Sequence, residues 1–361
     1  MGVYRSSANS FCKDFKQMWE IRNSTRFETG RGWVRDFSGR EVWLVAVRGR
    51  FRIVPKGEAV WDPSLPQDAV KIAPEFAGSG LGCFLVADTD LVHEKRATDV
   101  LMSGHARPPR GHSATKLSVG MAVGPVRKRI AVSGDRVWTL GAATDPVPFD
   151  KLSLDYTRAF GGIDQSNAPS APTDWYVHNP AGTGFSARLM GNGHLRLPNL
   201  EDPSQPVSSP SDRPRPAGFG PIAPHWPMRS RYAGTYDEAW ERDRLPLLPQ
   251  DFDPRFYQQA PEDQQVDGFL RGGEAVRLEG VHPDGPLEFY LPRISLGFET
   301  EFEDGTEISH RASLHTVVFE PDFPAVSMVW HTSLECHARV NLLRSTWVWE
   351  REQLKAAGER A

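Results

Sequence analysis

The sequence predicts a mainly β protein: two antiparallel, β-sandwich-like units joined by a long ordered insert rich in proline, glycine and aromatic residues, with a short C-terminal helix. Three observations lead there. Apolar and polar residues alternate with a period of two in short runs near both ends of the chain. Turn-forming residues punctuate those runs. No strand–helix–strand rhythm, the mark of a parallel α/β sheet, occurs between them.

Residues 1–16 precede this pattern and read as an N-terminal extension. The first β unit, 17–142, contains Val45, Val47, Gly49, Phe51 and Ile53 alternating with Ala46, Arg48, Arg50 and Arg52. Three arginines on one face mark a half-buried antiparallel strand. Leu117, Val119, Met121 and Val123 repeat the alternation, and Ser133-Gly134-Asp135 supplies a turn after the Ile130–Val132 strand.

The insert, 143–270, holds about 18 of the chain's 30 prolines. Disordered segments are poor in aromatics, yet Trp175, Tyr176, Phe185, Phe219, Trp226, Tyr232, Tyr236 and Trp240 recur through it. The combination predicts ordered loops pinned by aromatic anchors, and long ordered loops usually carry function.

The second β unit, 271–361, returns to alternation at Leu287, Phe289 and Leu291 and again at Val326, Met328 and Trp330. Asp304-Gly305 between two such runs is a hairpin signal. Trp349–Ala357 contains good helix formers and no breaker, which predicts the terminal helix.

Composition narrows the function classes. The chain has 361 residues, with 42 Lys+Arg against 46 Asp+Glu, a net charge of −4. No basic block invites nucleic acid or an anionic membrane. Cys12, Cys83 and Cys336 are far apart and form no CxxC pair, as expected of free thiols in a reducing cytoplasm. The opening MGVYRSSANSFCKDF lacks the apolar core of a signal peptide. No apolar run approaches the roughly 18 residues of a membrane helix. The expected location is cytoplasmic, without membrane insertion.

Catalytic signatures are absent: no GxGxxG, Walker loop, HExxH or GxSxG. His178, His194 and His225 share the insert without metal-ligand spacing, so no metal or other cofactor is expected. Glu201 and Asp202, with Asp251 and Asp253, offer carboxylates for glycoside hydrolysis. Acids beside proline are equally ordinary turn formers. Arg136 and Trp138, and Arg158 and Phe160, are arginine–aromatic units suited either to locking loops or to binding a protein.

Ordered motifs then make the chain familiar: Lys95-Arg-Ala-Thr-Asp-Val100, Gly134-Asp-Arg-Val-Trp138, Tyr156-Thr-Arg-Ala-Phe-Gly-Gly162, Asn179-Pro-Ala-Gly-Thr-Gly-Phe185, Leu197-Pro-Asn-Leu-Glu-Asp-Pro203, Pro216-Ala-Gly-Phe-Gly-Pro221, Ala233-Gly-Thr-Tyr236 with Trp240, and Leu248-Pro-Gln-Asp-Phe252. In these the chain resembles the bacterial family catalogued as domain of unknown function 2169, from about Asn23 to Pro292. The resemblance implies a cytoplasmic adaptor, or chaperone, that binds a type VI secretion effector and promotes its loading onto the spike protein. It implies no catalytic residue. Some relatives carry a pentapeptide-repeat tail; none is read here, which leaves a separate pentapeptide-repeat protein as a further partner. The expected client surface comprises Arg158, Phe160, Trp175, Phe185, Phe219, Trp226, Arg229, Tyr236 and Trp240. The competing expectation is that these side chains are the glue of the insert, and the competing function is a carbohydrate-active hydrolase.

Overall fold

Alternation along Glu41–Arg52 sends Trp43, Val45, Val47 and Phe51 into the main core and Ala46 into a separate small cluster. This strand is the spine of a computed structural model that describes residues 18–139, 142–164, 174–187 and 195–351. The protein is mainly β, built from several mostly antiparallel sheets, with only two short α-helices, Pro227–Ser230 and Glu238–Asp243, among the described residues.

In the largest sheet, Glu41–Arg52 pairs antiparallel with Glu28–Arg35 on one side and Ala325–Glu335 on the other. Ser313–Glu320 continues antiparallel, and Asp99–Met102 adds a parallel edge. A second sheet places Lys116–Val123 between Val126–Ser133 and Ala275–Glu279. A third runs Glu20–Asn23, Leu343–Glu350, Leu296–Phe302 and Glu307–His310, closed by the turn at Gly305, where φ is +82°. The two strand-rich stretches are therefore woven into common sheets rather than folded apart. Alternation dictates which face a residue takes and is silent about which strand lies beside it. Side chains from all three sheets, such as Phe51, Ile130 and Phe298, meet in one core. Trp43 Nε1 donates to Thr346 Oγ1 across it at 2.9 Å.

The arginine face of this strand, which the sequence reads as half-buried overall, is covered further than its sequence suggests. Arg48 pairs with Asp90 at 3.1 Å and Arg50 with Glu320 at 3.0 Å, beneath a stretch that brings Val70 and Leu91 against Ala46 and Val329. The expected terminal helix also needs correction. Trp349 and Glu350 continue the last strand, held by pairing of Gly297 with Trp349 and Leu296 with Glu350. Arg351 follows without helical structure, and the expected helix beyond it, 352–357, like the N-terminal extension 1–16, lies outside the described residues.

Most of the insert's motifs clasp one another. Asn179 Nδ2 donates to the carbonyls of Tyr156 and Phe160 at 2.8 and 3.1 Å. The approach is so close that a Cβ at Gly161 would meet the Asn179 carbonyl oxygen at 2.1 Å. Arg136 reaches Glu201 Oε2 at 2.7 Å and the Pro198 carbonyl at 3.0 Å, tying two further motifs together. Lys95 and Asp99 form a buried pair at 2.6 Å, and Asp99 also accepts from Gln258 Nε2 and the amides of Gln259 and Ala260. Short polar residues and glycines recur in these motifs because backbone and side chain must satisfy each other where no regular ladder does so.

Candidate docking groove

The tight turn after Glu28–Arg35 is organised by one carboxylate. Asp36 Oδ1 accepts the amides of Ser38 and Arg40 at 2.8 and 2.9 Å, and Oδ2 accepts Arg40 Nε at 2.7 Å. Burial pushes this acid up, but the Arg40 and Ser38 hydrogen bonds outweigh it and hold Asp36 below the usual carboxylate range. The turn thrusts Phe37 outward, 39% exposed.

The insert meets this turn through Arg244. Its Cζ lies 4.6 Å from the Phe37 ring centroid, and its guanidinium donates to the carbonyls of Phe37 and Leu248. Arg244 follows the helix Glu238–Asp243, whose N-cap Asp237 accepts the Trp240 amide at 2.8 Å. Trp240 Nε1 donates to the Leu247 carbonyl, and its ring meets Tyr236 edge-on at 4.7 Å.

A second clasp sets the floor. Thr235 donates from its amide and hydroxyl to the two Asp251 oxygens at 2.9 and 2.7 Å. Asp253 then caps the 3₁₀ turn Pro254–Tyr257 by accepting the Arg255 amide. Behind that turn the buried Arg229 pairs with Asp88 at 2.6 Å and donates to the Phe256 and Ile222 carbonyls.

These pieces enclose an open groove of about 430 Å³ lined by both stretches, with Phe37, Glu94, Leu248, Phe252 and Tyr257 among its walls. Phe252 and Tyr257 lie 5.4 Å apart. Burial, with smaller contributions from the Tyr236 phenol and the Glu94 carboxylate, pushes the Tyr257 hydroxyl up to about 12. Tyr236, 54% exposed, therefore stands beside the groove. Aromatic rings and the exposed Glu94 carboxylate thus stand together along the groove.

The side chains expected to form the client surface divide by burial. Phe160, Phe219, Trp226 and Arg229 are buried, and Trp226 packs edge-on against Tyr156 at 5.3 Å. Phe185 is half-buried between Tyr176 and Arg213. Arg158 bonds Asp135 and Asn199. Trp175 is 42% exposed where it bridges Ile163. Tyr236 and Trp240 alone of the set are tied to the groove. Phe37, Glu94, Arg244 and Tyr257 are not singled out by the sequence, and Phe252 enters there only as the end of a family motif. The available signals were an aromatic at a Ser-Gly turn and the dense run Phe252–Tyr257.

The four acids considered for hydrolysis each have local work. Glu201 accepts Arg136 and the Val207 amide, and Asp202 accepts the Ser204 amide and hydroxyl. Asp251 is held below the usual range by its Thr235 bonds, and Asp253 by Arg255 foremost, so neither stores a proton near neutrality. Of the three insert histidines, His194 lies outside the described residues. Among the described residues no three His, Cys, Asp or Glu side chains converge as a metal site, and no helix is long and apolar enough to cross a membrane.

Over residues 38–331 the chain matches the family described as "Uncharacterized protein conserved in bacteria (DUF2169)". No curated protein and no solved structure matches it.

Proposed function

The chain belongs to the bacterial family DUF2169, and from that premise we propose that it is a non-enzymatic adaptor, a chaperone that holds a type VI secretion effector in the cytoplasm and promotes its loading onto the spike protein. The observation that carries this reading is the groove, where Phe37 stays solvent-exposed on a clasped scaffold, with the exposed Tyr236 near the Tyr257 wall. Aromatic side chains have few rotatable bonds and large contact areas, so they bind a protein with little ordering penalty. Proline-rich loops held by Thr235–Asp251 and Arg244 need little rearrangement to close on a client.

The supporting experiment is co-purification of the full chain with an effector and a spike protein encoded by the same bacterium. A stoichiometric complex is expected with the wild-type chain. A Phe37→Ala, Tyr236→Ala double variant should lose most of it while staying folded, its melting temperature lowered only slightly by loss of the Arg244 contact with the Phe37 ring. Unchanged complex formation by that variant would move the client surface away from the groove.

A further inference from the structure

We propose that the open edge strand Glu28–Arg35 accepts an extended segment of a partner protein as an added antiparallel strand, with an apolar side chain opposite Trp33 and an acidic one opposite Arg31. The inference stands on this edge and does not require the adaptor reading above.

The first observation is the phase of the strand. The Asp36 amide donates to the Arg40 carbonyl at 2.9 Å, and the register carries that pairing along the hairpin to Val34–Val42, Gly32–Leu44, Gly30–Ala46 and Glu28–Arg48. On the far side of the central strand, the Cys336 amide donates to the Glu41 carbonyl at 2.9 Å, in the alternate phase. Bonded and non-bonded pairs alternate in an antiparallel ladder, so Thr29, Arg31, Trp33 and Arg35 turn their N–H and C=O groups away from the sheet. Among the described residues nothing pairs with these groups.

The second observation is that comparable edges are sealed. On the opposite flank of the same sheet, the Met102 amide donates to the Phe219 carbonyl and the Val266 amide to the Thr98 carbonyl, both at 3.1 Å. The edge strand Leu287–Tyr290 is closed by Gly57 and Ala59, each bonding Tyr290 at 2.9 Å. Glu28–Arg35 instead runs eight residues in unbroken register without proline, and its guard against stray pairing is charge. It is also held in place from one face: a Cβ at Gly30 would meet Val70 Cγ1 at 2.5 Å. A fixed row of outward N–H and C=O groups complements the edge of another extended chain.

The third observation selects the occupant. Arg31, Trp33 and Arg35 share one face and are exposed, Trp33 by 41% although it stands opposite the buried Trp43. Arg35 has Glu41 opposite it, whereas Arg31 has Val45, flanked on that face by Trp43 and Val47. Arg31 makes no ion pair or hydrogen bond through its side chain with a described residue. A carboxylate opposite Arg31 on an added strand therefore meets an unanswered charge, and an apolar side chain two residues before it covers Trp33. A second copy fits worse. Antiparallel pairing of all four outward residues with their counterparts sets Arg31 diagonal to the other copy's Arg31 and Arg35.

The test titrates a fluorescently labelled peptide, acetyl-Thr-Val-Thr-Val-Thr-Glu-Thr-amide, into the full chain. Hydrogen exchange of the complex locates the binding. Saturable binding is expected, with new protection confined to residues 28–35. N-methylation of the second valine and the glutamate, whose amides face the edge, should weaken binding about tenfold or more. Replacing the glutamate by glutamine should weaken it about two- to fivefold. Arg31→Gln should abolish that preference while melting with the wild type, because Arg31 is exposed and unpaired. No saturable binding, equal binding of the N-methylated peptide, protection elsewhere, or a glutamate preference that survives Arg31→Gln would overturn the proposal. So would a concentration-dependent dimer that protects these amides without peptide, which assigns the edge to a second copy. The adaptor reading fails separately: peptide binding with neither effector nor spike retained removes the adaptor and keeps the edge site.

Discussion

Arg244 lies 4.6 Å above the Phe37 ring and donates to the Phe37 carbonyl at 2.8 Å, joining the insert to a turn more than two hundred residues earlier in the chain. This junction builds one wall of the groove. Arg244→Ala removes a ring contact and several charged hydrogen bonds at a partly exposed site, so a loss of about 1–2 kcal/mol is expected. Hydrogen exchange should accelerate at Ser38–Arg40 and Leu247–Leu248 and stay unchanged in the Glu41–Arg52 strand. Uniform acceleration would mean that Arg244 supports the whole fold.

Aromatic residues of the insert should separate into two classes. Trp226 is fully buried against Tyr156, so Trp226→Ala should destabilise by about 3–5 kcal/mol. Tyr236→Ala should stay within roughly 0.5 kcal/mol of wild type and act on client binding instead. Urea unfolding of both variants, beside a binding assay, checks the division.

Lys95 and Asp99 are both buried, at 2.6 Å. Lys95→Met leaves the Asp99 carboxylate without its counter-charge and should cost about 3–5 kcal/mol. The three amide donors on Asp99 from Gln258, Gln259 and Ala260 are then held by a destabilised acceptor. Urea midpoints give the value; a loss below 1 kcal/mol would show that the amides alone satisfy Asp99.

Acid should unfold this protein through histidines. His331 is stacked on His315 at 4.6 Å, and Phe269 stacks on His315 at 5.6 Å. Burial holds His331 down at about 3, His310 at about 4, and His315 well below its ordinary value; the nearby Lys95 also disfavours charge on His315 and His331. Folded-state values below the unfolded value of about 6.5 mean that the unfolded chain binds more protons in between. Their stabilisation is complete above pH 6.5 and is lost as pH falls toward 3–4. Each imidazole adds up to about 1.4 kcal/mol per pH unit to that slope. His331→Phe should flatten the slope of urea stability between pH 6 and 4; an unchanged slope would assign acid sensitivity to carboxylates.

What could be read from the sequence follows from the range of each interaction. The alternation Val45–Val47–Phe51 and the Asp304-Gly305 turn are local, and both hold in the structure. Trp349 shows the converse: its helix-forming neighbourhood is overruled by pairing with Gly297 on another strand. The motifs from Lys95 to Phe252 identify the family, yet Asn179, Gly161, Thr235 and Asp251 serve mainly to clasp loops. Tyr236 and Trp240 were legible because the insert is rich in aromatics. The groove itself was not, since Phe37, Glu94 and Tyr257 come together only in three dimensions.

The central claim is that this chain holds a protein client. Its most direct test is a pull-down from the native cytoplasm with the tagged full chain as bait, while the secretion genes are expressed, and quantitative mass spectrometry of what is retained. The adaptor reading predicts a type VI effector or spike protein at near-equal amounts to the bait, depleted when Phe37 and Tyr236 are both alanine. Retention of neither by a folded bait would contradict it.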